Sequence, residues 1–174
     1  VIFTAWAGAS EYFAQDRPEF QKNVTGYYEY IRENDLTLTH ALLNLQRRRA
    51  SAAIDTLTDE VALTTVKETD AGVIVHGSRL LAPLGPISDE IAIYHAGNHR
   101  MGEDARRQSF AFSIACDTPG LKFLCRESID VGRSHFNHPL GSRFEEMDAT
   151  IIFDNVLVPW ERVFLLGDVD LCNN

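Results

Sequence analysis

The apolar periodicity of this chain changes once, at Val61, and divides it into a helix-forming stretch and a strand-forming one. Before that point Phe20, Val24, Tyr27, Tyr28 and Ile31 recur at i, i+4, i+7, i+8 and i+11, a single helical stripe. Asp16 stands where a cap is expected, with Glu19 three positions on and Pro18 in the first turn, where a missing N–H costs nothing. Asn34 and Asp35 are the stop signals. The opening "VIFTAWAGASEYF" is expected to be the end of a packed helix. After Val61 the segments "VALTTVKE", "GVIVHGSRLLA", "EIAIYHA", "SFAFSIAC", "LKFLCRES" and "ATIIFDNVLV" are short, β-branched or aromatic, and separated by turn residues. Gly72 suits a left-handed position in a hairpin connection, and Pro119-Gly120 marks another turn. No helical pattern interrupts the strands, so antiparallel pairing is expected over a βαβ sheet, closing into a barrel or packing as a sandwich.

A chain of 174 residues supports one compact domain, or one domain with an appended helical piece. Sixteen Lys and Arg against 25 Asp and Glu leave a net charge of −9, which repels a phosphate backbone and argues against nucleic acid as the main partner. Cys116, Cys125 and Cys172 are odd in number and lack CxxC spacing, so neither a disulfide framework nor a thiolate metal site is expected, in keeping with a reducing cytoplasm. The apolar run at the start is far below the roughly 20 residues that span a bilayer, so no membrane association is expected.

The connection "THALLNLQRRR", Thr39 to Arg49, puts His40 ahead of Gln46, Arg47, Arg48 and Arg49. Arginine forks suit phosphate, and a glutamine amide suits a heterocycle edge. A histidine packed at a junction beside a solvated charge run accounts for the same residues, and spacing alone leaves both readings open. His95 and His99, with His135 and His138, could hold a metal, but no carboxylate sits at a ligand spacing and no metal site is expected. Glu145, Glu146 and Asp148 precede a strand and read as a solvated turn. No Gly-x-Ser-x-Gly elbow, Walker pattern or GxGxxG occurs.

Four separated motifs in order, "YYEYIRENDLTLTHALLNLQ", "ETDAGVIVHGSRLLAPLGP", "CDTPGLKFLCRES" and "HPLGSRFEEMDATIIFDNVLVPWERV", closely resemble the large oxygenase component of the two-component, FAD-dependent 4-hydroxyphenylacetate 3-monooxygenases and related phenol hydroxylases. The resemblance implies an acyl-CoA dehydrogenase-like fold, mainly β here with N-terminal helices. Residues 1–50 would be the end of a helical domain with its flavin and substrate loop, and 51–174 a middle antiparallel β-barrel domain. The chain would then be a fragment of a longer α+β protein, without the C-terminal helical bundle.

By the same resemblance, His40 matches the histidine that contacts both phenol and flavin and is the catalytic candidate. Ala41, Leu42, Gln46, Arg47, Arg48, Arg49 and Pro83 match cofactor-lining positions, and His95, Ala96 and Gly97 match a substrate loop. Leu45 stands in place of a proline, Arg48 in place of an aspartate, and Pro83 where a threonine is common. The implied chemistry is ortho-hydroxylation of a phenol to a catechol by O2 and reduced FAD, through a flavin hydroperoxide. A separate NAD(P)H-flavin reductase supplies the cofactor, and the oxygenase is a homotetramer in the cytoplasm. Two other functions fit the residues less fully: a non-catalytic β-barrel binding or assembly module, and an FAD and iron–sulfur hydroxyacyl-CoA dehydratase of the same fold.

Overall fold

The structure is a computed structural model that describes residues 1–15, 17–44, 61–95, 100–129, 135–144 and 146–173. Two helices open it, α1 (Ile2–Gly8) and α2 (Glu19–Glu33), joined through a 3-10 turn at Ser10–Ala14. The expected stripe is the one that packs. Phe20, Val24, Tyr27 and Ile31 are buried, Tyr28 is half-buried, and Pro18 sits directly before the first helical residue. Asn34 caps the end and Asp35 turns left-handed after it, at φ 51°.

Eight strands follow among the described residues. Six are those expected from the sequence: β2 (Thr64–Thr69), β3 (Gly72–Pro83), β4 (Glu90–Ile93), β5 (Phe110–Ala115), β6 (Leu121–Cys125) and β7 (Asp148–Pro159). Two more lie outside the expected strand segments, β1 (Leu38–Ala41), which overlaps the Thr39 to Arg49 connection, and β8 (Val163–Leu166). A short helix, α3 (Val169–Asn173), comes last.

Among the described residues the strands do not close into the expected barrel. They form two four-stranded sheets, one ordered β1-β4-β5-β8 and the other β2-β3-β7-β6. The first also carries a parallel pair, because Leu38 to Ala41 run alongside Glu90 to Ile93 in the same direction. The physical reason lies in burial. In β4, β5 and β8 nearly every residue is buried on both faces, since helices cover one side and the second sheet the other. A sheet covered on both faces belongs to a layered stack.

The second sheet is buried on one face only. Val73, Val75, Ile151, Phe153, Val156 and Val158 point inward, while Lys122, Ile152, Asp154 and Leu157 face out. Phe112 meets Phe153 edge to face across the gap, centroids 6.2 Å apart, and burying each such ring contributes about 1.5–3 kcal/mol. On the other side, Phe164 and Tyr27 seat the helices on the first sheet with centroids 5.3 Å apart. The two glycine turns hold as expected. Gly72 (φ 150°) lets β3 approach so closely that a Cβ there would lie 2.0 Å from the Val158 carbonyl oxygen, and Gly120 (φ 88°) turns the chain into β6.

Candidate functional site

Strand direction decides where the candidate residues meet. Because β1 and β4 are parallel, both end at the same edge of the first sheet, β1 after Ala41 and β4 after Ile93. The antiparallel β5 begins there at Phe110, and β8, paired with it as Phe110 to Leu166, ends there. His40, Ala41 and Leu42 therefore leave β1 at the edge where Tyr94 and His95 leave β4.

Along β1 the side chains alternate, so Thr39 and Ala41 are buried while Leu38 and His40 are exposed. His40 lies against Tyr94, ring centroids 6.2 Å apart, and Tyr94 in turn packs edge to face on Trp6 at 5.2 Å. Burial raises the Tyr94 phenol above its ordinary range. The two histidines open on different hollows. His40 borders one of about 280 Å³ with Phe3, Tyr28 and Ile31. His95 and Tyr94 border another, of about 330 Å³, whose walls are the rings of Trp6, Phe13 and Phe110 with Leu165 and Leu171. Tyr94 links the two positions that the sequence singled out.

Pro83 belongs to the other sheet, at the end of β3, yet it adjoins the same strand: Thr39 Oγ1 donates to the Pro83 carbonyl oxygen. Gln46, Arg47, Arg48, Arg49, Ala96 and Gly97, like Leu45, Asp16, His99 and Glu145, lie outside the described residues. Glu146 is exposed and Asp148 half-buried at the start of β7, in keeping with a turn. His135 Nδ1 lies 2.8 Å from Ser142 Oγ, far from the strand-end edge in sequence. No three His, Cys, Asp or Glu side chains among the described residues gather as metal ligands. Cys116, Cys125 and Cys172 are all free thiols.

One residue at this edge escaped the sequence reading. Arg79 is 2% exposed; its Nη1 donates to the Leu42 carbonyl at 2.7 Å, and the Phe110 ring lies beneath its guanidinium at 5.4 Å. Among the described residues its Nε has no acceptor, and the buried Asn44 Oδ1 has no donor. The spare acceptor on Asn44, beside the exit from β1, fits a flavin, whose ring edge carries an N–H donor. The exposed imidazole of His40 on the same strand fits a phenolic ligand.

Comparison with known proteins follows this geometry. The family described as 4-hydroxyphenylacetate 3-hydroxylase N terminal matches residues 1–165. A 4-hydroxyphenylacetate 3-monooxygenase oxygenase component from Geobacillus sp. (strain PA-9) is 46% identical over 165 residues, which are 95% of this chain and 33% of the relative. A solved structure of an oxygenase component (HpaB) of 4-hydroxyphenylacetate 3-monooxygenase, complexed with FAD and 4-hydroxyphenylacetate, is 43% identical. It superposes with a TM-score of 0.84 over 99% of this chain and 35% of its own. A glutaryl-coenzyme A dehydrogenase, at 15% identity and a TM-score of 0.53 over 86% of this chain and 32% of its own, shares the fold alone. The chain thus spans about a third of the length of the relatives it matches.

Proposed function

The chain belongs to the 4-hydroxyphenylacetate 3-hydroxylase N-terminal family, and from that membership we propose that the whole protein is the oxygenase component of an FAD-dependent aromatic monooxygenase. Its reaction is the ortho-hydroxylation of a phenol resembling 4-hydroxyphenylacetate to a catechol, with O2 and reduced FAD from a separate NAD(P)H-flavin reductase. The active form is a homotetramer. Residues 1–50 end a helical domain, 51–174 form the middle β domain, and segments beyond this chain complete the site. The observation that carries this proposal is the parallel pairing of β1 with β4, which brings the His40 and His95 exits to one edge.

Bound reduced FAD would supply, with oxygen, the electrophilic oxygen atom that a phenol attacks. By the family resemblance, Ala41, Leu42 and Pro83 would line the ring system, and Gln46 with Arg47, Arg48 and Arg49 would hold the polar and diphosphate parts. The imidazole of His40 hydrogen-bonds the phenolic oxygen, fixes the ring, and accepts the phenolic proton as charge develops at the ortho carbon. By the same resemblance, His95, Ala96 and Gly97 would contact the substrate. Aromatic walls around Tyr94 keep water from the reacting ring.

A direct test mixes full-length protein with reduced FAD under anaerobic conditions, then adds oxygen and a panel of phenols. Saturable binding of reduced FAD and a catechol product are expected. Absence of both, from a folded protein, contradicts the proposal and favours a non-catalytic β module. The dehydratase reading has less support, since the three free cysteines and the histidines of the described residues form no cluster.

A further inference from the structure

β3 grips the strand that carries His40 at three points. The Pro83 carbonyl accepts from Thr39 Oγ1, the Leu80 amide donates to the Leu43 carbonyl at 2.7 Å, and Arg79 Nη1 donates to the Leu42 carbonyl at 2.7 Å. The strand is bent to do so. Its register with β7 slips between Arg79 and Ala82, and Leu81, a bulky residue, is left-handed at φ 59° and 51% exposed. Bulges of this kind re-aim side chains and are enriched beside functional sites, and a left-handed non-glycine residue is strained backbone. Just before the bulge, Ser78 and Arg79 are both buried: Arg79 faces inward opposite Ile151, and Ser78 is covered on the other face by Val61 to Leu63, donating its hydroxyl to the Val61 carbonyl at 2.8 Å.

A buried guanidinium is an expensive way to bind one carbonyl. Burial lowers its pKa to about 10, so it stays charged at neutral pH, and its Nε goes unsatisfied. No carboxylate bond to it is found among the described residues, and the Phe110 ring offers only a cation–π contact. Packing alone does not explain this choice, because an apolar side chain of similar volume commonly serves a buried site as well or better. What the arginine adds is a directed bond to the backbone immediately after Ala41.

We propose that Arg79 is a positioning residue, which fixes the Leu42 carbonyl and thereby the direction in which His40, Ala41 and Leu42 face cofactor and phenol. It acts through the backbone and touches neither ligand. This rests on the proposed monooxygenase function, deepening it by one residue.

The test uses full-length protein, wild type against Arg79→Met and Arg79→Lys. Met keeps the length and removes the donor; Lys restores one. A third variant, Thr39→Val, removes a different grip on the same strand. Two readouts are taken. Hydrogen exchange at the Leu80 amide, whose bond to Leu43 adjoins the grip, should be about tenfold faster in Arg79→Met and near wild type in Arg79→Lys. Catechol formed per reduced FAD consumed should fall about tenfold in Arg79→Met and partly recover in Arg79→Lys. Thr39→Val should also lower it, while the thermal midpoint of Arg79→Met changes little. Unchanged exchange at Leu80 overturns the grip. Faster exchange with unchanged coupling overturns the positioning role. A midpoint lowered together with both readouts, and no rescue by lysine, makes Arg79 a structural residue only. Wild-type protein that makes no catechol defeats the monooxygenase proposal instead, and exchange at Leu80 then still decides the grip.

Discussion

His40 and Arg79 are two arginine-or-histidine problems with opposite outcomes. His40 stood out in the sequence because Gln46 to Arg49 follow it, and the structure exposes its ring on β1. Arg79 did not stand out, although the two-residue phase that buries Val73 and Val75 carries on to position 79. An arginine in a strand is ordinarily assigned to the wet face, and the cover that Val61 to Leu63 give Ser78 beside it is invisible in a pattern. Cys116 shows the same gap at a smaller cost. Burial, aided by the charges of Glu90, Asp89 and Asp117, pushes its thiol from an ordinary 9.0 to about 12. A thiol whose folded pKa lies above its unfolded one stabilises the fold below about pH 9 and loses that contribution as pH rises toward 12. Stability should therefore decline over that window, and Cys116→Ala should flatten the decline in urea midpoints. At pH 8 a small alkylating reagent should modify exposed Cys125 well before Cys116.

At the level of elements, a buried polar knot helps hold the helices on the first sheet. Glu90, 2% exposed, accepts from Arg162 Nη1 at 3.0 Å and from the Tyr27 hydroxyl at 3.1 Å, and that hydroxyl also lies 2.6 Å from Ser113 Oγ. Arg162 stacks over Tyr27 and Tyr30 at 5.0 and 4.5 Å. Burial, with the Glu90 charge adding to it, pushes the Tyr27 phenol far above its ordinary range. Arg162→Ala strands a buried carboxylate, so it should destabilise the protein by about 3–5 kcal/mol, and adding Glu90→Gln should recover part of the loss. Urea unfolding of the single and double variants checks this; a loss below about 1 kcal/mol contradicts it. Neither Glu90 nor Arg162 was marked by the sequence, because 72 residues separate them and β8, just beyond Arg162, was not among the expected strands. Strands β1 and β8 are four residues each, too short for alternation to declare itself.

For the whole molecule, the turn glycines, the helix stripe and six strands were legible because each is a local pattern. The layering was not. Six apolar segments with antiparallel signals suit a barrel equally well, and only the burial of β4, β5 and β8 on both faces separates the two sheets from it. The parallel pairing of β1 with β4 is likewise a matter of long-range contact, and it is what sets His40 and His95 at one edge. No helix of the described residues is long and apolar enough to cross a membrane. The decisive measurement compares wild type with His40→Ala in the full-length protein, recording both affinity for reduced FAD and catechol formed per FAD consumed. Loss of a positioned proton acceptor should lower product formation by about 10²-fold while flavin affinity changes only about twofold. Equal loss of both, or product formation that does not change, would contradict a role for His40 at the phenol.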